Sequence, residues 1–129
     1  GWVLLSQRAG QKFGKDFDLI PNEGYFVKVL KPVKLDIEGT KVAKDQSMYF
    51  YTGWNLIGYR SEIKTAKSFM EAVNSNSSLN MDTVTKFSSG RYENYVRDGE
   101  TYYGTDISLS ENSGYFVRLK KGGATWTRK

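Results

Sequence analysis

The side chains in this chain that could carry acid–base chemistry are carboxylates, because it contains no histidine and no cysteine. Asp16 and Asp18 form one closely spaced pair, and Asp98 and Glu100 form another. Paired carboxylates are what glycoside hydrolases use, but nothing in the sequence places either pair in a cleft. The serines lack an imidazole base, and the nearby acids are too few for a calcium site. We therefore expect no enzyme activity, no metal and no cofactor.

A group of tyrosines and arginines in the second half of the chain is the best candidate for a binding surface. Its members are Tyr92, Tyr95, Tyr102, Tyr103, Arg91 and Arg97. Flat aromatic rings flanked by polar side chains hold sugar rings in non-catalytic modules. The alternative is that these rings pack against each other across strands. Trp54 and Trp126 are expected to be core residues rather than ligand contacts.

The net charge of +5 is compatible with an acidic partner such as an anionic cell-wall polymer or a nucleic acid. A basic aromatic sheet that binds nucleic acid is the alternative function. It is less favoured because the basic residues alternate with acids such as Asp36, Glu38 and Asp45. No stretch approaches the roughly 20 apolar residues of a membrane-spanning helix, so we expect no membrane span.

The chain contains an internal repeat with an offset of 90 residues. Residues 13–31 and 103–121 align without a gap and are identical at nine of nineteen positions. The repeat motif comprises Gly14, Asp16, Asn22, Gly24, Tyr25 and Phe26, followed by Gly104, Asp106, Asn112, Gly114, Tyr115 and Phe116. Such self-similarity is typical of modular, tandemly built proteins.

The shared residues predict local structure. Asn-x-Gly predicts a turn with positive φ, which asparagine and glycine adopt at low cost. Each aspartate is predicted to accept hydrogen bonds from backbone N–H groups of its own loop. Within each Tyr-Phe pair, one ring is predicted to enter the core and the other to face water or a neighbouring strand.

One short amphipathic helix is predicted near residues 65–74. An apolar stripe recurs at helical spacing, formed by Ala66, Phe69, Met70 and Val73. Thr65 is the expected N-cap, and the polar run 74–78 ends the helix.

The remaining pattern predicts antiparallel strands. Residues 83–87 and 91–96 should form a hairpin around Ser88–Gly90, with a second turn at Asp98–Gly99. Residues 114–119 are predicted to pair with 124–127 across a Lys-Lys-Gly-Gly turn. The alternating segment 33–37 is predicted to be an edge strand.

The predicted fold class is mainly β (α+β), with antiparallel sheets arranged as a sandwich or a partly closed barrel. We expect residues 1–129 to form a single folded body. Residues 1–37 would be the C-terminal half of one repeat and residues 42–129 a complete second repeat. No linker rich in proline, glycine or serine separates the two parts.

The ordered motifs Gly53-Trp-Asn-Leu-Ile-Gly58, Gly114-Tyr-Phe-Val117 and Thr125-Trp-Thr127 resemble a repeated module. Modules of this kind occur in large secreted and surface-layer-associated proteins of bacteria and archaea. The resemblance covers residues 53–127, with residues 13–37 as a half copy. It implies an extracellular, non-catalytic accessory or spacer role, and it implies no active-site residues. We expect a surface or adhesion module of a longer protein, with neighbouring repeat modules of the same polypeptide as partners. The exposed aromatic residues favour polysaccharide or anionic cell-wall polymer as a further partner.

Overall fold

A computed structural model describes residues 3–40, 47–59, 61–111 and 113–127 of the protein. Within these residues lie nine strands and one helix. In chain order they are β1 (Leu5–Arg8), β2 (Gln11–Gly14), β3 (Ser47–Phe50), β4 (Gly53–Gly58), α1 (Ala66–Asn74), β5 (Asn80–Ser88), β6 (Arg91–Asp98), β7 (Thr101–Gly104), β8 (Gly114–Lys121) and β9 (Ala124–Thr127). The mainly-β class with antiparallel sheets and one short helix is confirmed. The finer expectation of a sandwich or a partly closed barrel stays a prediction.

The largest sheet has five antiparallel strands in the order β4-β8-β5-β6-β7. The predicted hairpin between β5 and β6 is confirmed, and its turn contains Ser89 and Gly90 with φ of 52° and 74°. The predicted turn at Asp98–Gly99 is also confirmed, since it joins β6 to β7. Two smaller sheets pair β1 with β2 and β3 with β9.

The predicted hairpin between residues 114–119 and 124–127 is wrong. Strand β8 pairs with β4 and β5, while β9 pairs with β3. The β3–β4 and β8–β9 connections meet at one corner, where the Gly122 amide donates to Thr52 Oγ1 and the Gly123 amide donates to the Phe50 carbonyl. A Cβ on Gly122 would lie 2.4 Å from the Thr52 nitrogen, so glycine permits this close approach. The Gly-Gly pair therefore bends the chain between β8, which pairs with β4, and β9, which pairs with β3, rather than closing a β8–β9 hairpin.

The predicted helix forms as expected. The Thr65 side chain accepts from the Ser68 amide at 3.2 Å, which makes it the N-cap. All four residues of the apolar stripe are buried. The Phe69 ring meets Tyr59 and Trp126 edge-on, each with a centroid separation of 5.4 Å. The helix therefore closes the core on one side of the sheet.

The two tryptophans predicted to be core residues have different environments. Trp126 is 7% exposed and packs on the helix, as predicted. Trp54 is 56% exposed, so its predicted core position is wrong. Side chains alternate along β4, and Ile57 faces the core, which leaves Trp54 on the opposite face.

Residues 15–40 belong to no strand in the described structure. The predicted edge strand at 33–37 is therefore wrong, although its residues alternate. An alternating pattern defines two faces, but a strand also needs a hydrogen-bonding neighbour. The backbone of this segment pairs with a strand of the described part of the chain at one isolated bridge, between Glu23 and Ile57.

Candidate functional site

The repeat seen in the sequence recurs in the hydrogen bonds of the structure. Tyr25 Oη accepts from the Ile20 amide at 2.8 Å, and its proton has two acceptors within reach, the Glu23 carboxylate at 3.3 Å and the Asp18 carbonyl at 3.5 Å. Tyr115 Oη accepts from the Ser110 amide at 3.0 Å and donates to the Ser108 carbonyl at 3.5 Å. The amide donor and the carbonyl acceptor are displaced by the same 90 residues as the sequence motif. The two loops are thus built in the same way.

Gly14 and Gly104 end equivalent hairpins. Their φ angles are 97° and 93°, and a Cβ would lie 2.2 Å from the Leu4 carbonyl oxygen or 2.3 Å from that of Asn94. Strand β1 pairs with β2 in the register that β6 shares with β7. The repeat therefore extends to the backbone of the hairpin, but not to residues 24–31, which lie in no strand, whereas the equivalent residues 114–121 form β8. The assignment of 1–37 and 42–129 as separate repeat units stays a prediction.

Other motif residues differ from their predicted roles. Asn22 has the predicted positive φ of 70°, whereas Gly24 and Gly114 do not lie in the positive-φ region. Asn112 lies outside the described residues. Gly24 instead allows close packing, because a Cβ there would lie 2.7 Å from Leu56 Cγ.

Asp106 also has a different partner from the one predicted. Its Oδ1 accepts from the Lys67 amide in the first turn of α1 at 2.9 Å, rather than from its own loop. This contact caps the helix from a distant loop. Asp16 holds the same position in a half copy that has no helix among the described residues.

The Tyr-Phe pairs partly follow the prediction. Tyr115 is 2% exposed, and Phe116 is half-buried on the other face of β8. In the half copy, Tyr25 is half-buried while Phe26 is 55% exposed.

The half copy joins the complete copy through the backbone of β4. The Gly24 amide donates to the Leu56 carbonyl at 3.2 Å, and the Gly58 amide donates to the Asn22 carbonyl at 2.9 Å. A Cβ on Gly58 would lie 2.7 Å from the Glu23 carbonyl oxygen. We call these contacts the joint. Strand β4 thus pairs with β8 along one edge and meets the other copy along its second edge.

The six residues of the predicted tyrosine–arginine surface do not form one platform. Tyr92 and Tyr103 are 59% and 56% exposed on the face away from the core. Tyr95 is 6% exposed on the core side, where its ring stacks on Tyr102 with a centroid separation of 5.4 Å. Lys67 Nζ lies 5.1 Å from the centre of the Tyr102 ring. This half of the group packs across strands, which was the alternative interpretation.

By the alternation of side chains along β6, both arginines lie on the opposite face from Tyr92. Arg97 is half-buried opposite Tyr102, and Arg91 is exposed at the β5–β6 turn. Burial raises the pKa of Tyr95, and the neighbouring charge of Asp106 adds to that shift. Neither arginine position marks a ligand site shared with the exposed tyrosines.

A different set of aromatic rings covers the face of the five-stranded sheet opposite the core. It comprises Trp54, Phe87, Tyr92 and Phe116, with Phe26 of the half copy above them. Phe26 lies 5.9 Å from Phe87 and 5.8 Å from Phe116 between ring centroids. We call these five residues the aromatic face. Because Phe26 of the half copy packs on Phe87 and Phe116, part of this face is a contact between the half copy and the complete copy.

A cleft of about 360 Å³ lies beside the joint. Three of its residues carry exposed aromatic rings, namely Tyr49, Tyr51 and Trp54, which are 52%, 66% and 56% exposed. Asn22 and Glu23 of the half copy also line the cleft. We call this the joint cleft. It places flat rings from one copy next to polar side chains from the other.

Asn55 fixes the backbone around the joint cleft. Its Oδ1 accepts from the Tyr51 amide at 2.9 Å, and its Nδ2 donates to the carbonyls of Tyr51 at 2.9 Å and Gly53 at 3.2 Å. The side chain thus closes the β3–β4 turn on itself. The tyrosine and tryptophan rings of the cleft are therefore carried on a fixed turn.

Sequence reasoning missed Tyr49 and Tyr51. A usable signal was present, because residues 47–50 alternate between exposed and buried and direct Met48 and Phe50 inward. The contribution of Asn22 and Glu23 had no local signal, since it depends on how the two copies meet.

An ion pair between β5 and β8 joins the buried Asp82 to the partly exposed Arg118. Asp82 is 3% exposed at an irregularity in β5, and Arg118 donates to it through Nε at 3.0 Å and through Nη2. Burial raises the pKa of Asp82, but the hydrogen bonds from Arg118 and Thr83 outweigh it and hold the pKa below its ordinary value. The pair is placed to stabilise the strand irregularity.

The carboxylate pairs considered for catalysis are exposed in turns and loops. Asp98 and Glu100 flank Gly99, and Asp16 and Asp18 lie in the loop after β2. Among residues 3–40, 47–59, 61–111 and 113–127, no three acidic side chains come together as a metal-binding group. No helix in this described part of the chain has the length and apolar character needed to cross a membrane.

Comparisons with known proteins give no relative. No family model matches the chain, and no curated protein or solved structure matches it at a significant level. Any statement about function therefore depends on the residues and their geometry.

Proposed function

We propose that this chain is a non-catalytic module of a larger extracellular or cell-surface repeat protein, with an adhesion or spacer role. The joint supports this proposal most directly. The half copy, at Asn22–Gly24, meets strand β4 of the complete copy, at Leu56–Gly58, through paired backbone hydrogen bonds. Its partners are then neighbouring modules of the same polypeptide. The resemblance to surface-layer-associated modules supports the proposed location.

Glycine at position 58 is the residue on which the joint depends most. We expect Gly58→Ala to open the joint, because the new methyl group would lie 2.7 Å from the backbone oxygen of Glu23. Amide hydrogen exchange at Gly24 should rise at least tenfold, while exchange in β5 stays unchanged.

Gly114→Ala is the matched control for this variant. Gly114 lies directly opposite Gly58 in the β4–β8 register, and its Cβ would be 3.5 Å from the Ile57 oxygen, an ordinary contact. If both variants leave Gly24 equally protected, the joint does not hold the copies together and the modular proposal loses its main support.

The joint cleft supports a more specific activity, binding of carbohydrate or anionic cell-wall polymer. Sugar rings bind to flat aromatic faces through their C–H groups, with polar side chains fixing their orientation. Tyr51 and Trp54 supply exposed rings, and Asn22 and Glu23 supply the polar side. At about 360 Å³, the cleft lies within the volume range of small-molecule binding sites.

Tyr51→Ala should weaken binding to the best polysaccharide found on a glycan array about tenfold, because one stacking surface worth about 1.4 kcal/mol is lost. Tyr103→Ala is the matched control, since Tyr103 is similarly exposed but lies on β7, away from the cleft. Binding measured by calorimetry should be unchanged in the control. Equal losses in both variants would contradict the cleft as the site.

Binding to single-stranded DNA, measured beside glycan binding, distinguishes the nucleic-acid alternative from the proposed function. That alternative is favoured by the aromatic face, on which bases could stack. It predicts affinity for single-stranded DNA that falls steeply with salt. If glycan binding is absent and steep salt-dependent DNA binding is present, the nucleic-acid function replaces the one proposed here.

A further inference from the structure

A row of apolar side chains in the half copy is exposed. Its members are Phe26, Val27, Val29, Leu30, Val33, Leu35 and Ile37, each more than half exposed, with Leu30 at 91%. Lys28, Lys31, Lys34 and Asp36 interrupt them, but seven large apolar side chains within twelve residues are more exposed apolar surface than soluble proteins usually leave in one segment. This exposure indicates a surface that is normally in contact with another segment.

The equivalent residues of the complete copy show what such a segment contains. Val27 is 83% exposed, whereas its counterpart Val117 is fully buried. Leu19 is 70% exposed, whereas its counterpart Leu109 is 4% exposed. The same residue types at the same repeat positions are thus in water in one copy and in the core in the other.

Three elements bury these positions in the complete copy. Strands β4 and β5 pair with the two edges of β8 around Val117. The chain that enters helix α1 holds the other loop, since the Leu109 amide donates to the Lys64 carbonyl and the Ala66 amide donates to the Ile107 carbonyl. All of these covering elements lie within residues 47–91.

A cavity marks the place where these elements are missing in the half copy. It has a volume of about 590 Å³ and is lined mainly by apolar residues, including Leu4, Phe17, Ile20 and Tyr25. In the complete copy, the ring of Tyr115, the counterpart of Tyr25, is instead contacted by Tyr59 at 5.7 Å. The half copy therefore has the contact surface of a core but lacks the residues that fill it.

We propose that this surface is covered by the first half of another copy of the repeat, a segment with the pattern of residues 47–91. Its β4-like and β5-like strands pair with residues 27–31, which lie in no strand of the described structure. Its helix fills the cavity beside Tyr25. The inference rests on the proposed modular function and names the partner that completes the half copy.

The test adds the missing half in register. Because residue 1 corresponds to residue 91 under the repeat offset, a copy of residues 42–90 is joined directly ahead of Gly1 of the full chain. We expect amide exchange at residues 27–31 to slow at least a hundredfold and binding of the dye ANS to fall. The control extension carries Val73→Asp and Val84→Asp in the added copy, which destroys its core, and should leave residues 27–31 unprotected.

A second measurement tests the same contact by substitution. Val27→Ser should lower the melting temperature of the extended chain by about 5 °C and leave that of the original chain unchanged, because Val27 is exposed there. The inference is overturned if residues 27–31 exchange as fast in the extended chain as in the original one. It is also overturned if the original chain forms a dimer that already protects them. Continued protection of Gly24 in either case would leave the joint, and so the modular function, intact.

Discussion

Gly104→Ala is expected to lower the free energy of unfolding by about 3 kcal/mol and the melting temperature by about 10 °C. Two effects act together at this position. Alanine is strained at a φ of 93°, and its Cβ would lie 2.3 Å from the Asn94 carbonyl oxygen, so β6 and β7 must separate locally. Tyr95 and Tyr102, which stack between these strands, would lose their alignment. Urea denaturation followed by tyrosine and tryptophan fluorescence measures the change.

Gly14→Ala is the matched control, because it introduces the same strain at a φ of 97° with a Cβ 2.2 Å from the Leu4 oxygen. The β1–β2 hairpin is exposed along nearly its whole length. It can therefore open locally without exposing the core, and we expect a global loss below about 1 kcal/mol. Equal losses in the two variants would mean that the half copy unfolds together with the complete copy.

The sequence predicted those parts of the fold that local signals determine. The stripe from Ala66 to Val73 and the cap at Thr65 predicted the helix because spacing and capping act within a few residues. The β5–β6 hairpin was predictable because its turn residues and strand pattern are adjacent. The repeat predicted equivalent loops, and the hydrogen bonds of Tyr25 and Tyr115 agree with it.

These local signals do not determine which strands pair when the strands are distant in the sequence. Gly122 and Gly123 have the composition of a hairpin turn, but pairing of β8 with β4 and β5 competes with a β8–β9 hairpin and prevails. The four tyrosines were assigned to one surface because they are close in sequence, although alternation along β6 and β7 places them on two faces. The joint cleft combines residues 22–23 with residues 49–54, so only the meeting of the two copies creates it.

The second large effect on stability is expected at the ion pair between Asp82 and Arg118. Arg118→Met should lower the free energy of unfolding at pH 7 by about 2 kcal/mol, below the roughly 3–5 kcal/mol lost when one partner of a fully buried pair is removed. The smaller value reflects the Arg118 side chain, which is 43% exposed, so water can partly replace it. The cost arises because Asp82, at 3% exposure, keeps a charge without its main donor. Arg118→Lys, which retains the charge but not the two-point contact, should lose about 1 kcal/mol.

The contribution of Asp82 to the free energy of unfolding should depend on pH with opposite sign in the unsubstituted protein and in Arg118→Met. In the native protein the pKa of Asp82 is held below its unfolded value of about 4, so the pair contributes stability above that pH and loses it as the pH falls through the folded pKa. Without Arg118, we expect burial to outweigh the remaining lowering effects of Thr83 and Lys120 on the pKa of Asp82, so that protonation relieves the buried charge. The deficit of Arg118→Met should therefore shrink between pH 7 and pH 4 in urea denaturation. A deficit that stays constant over this range would show that lost packing of the arginine stem, rather than the charge of Asp82, determines the effect.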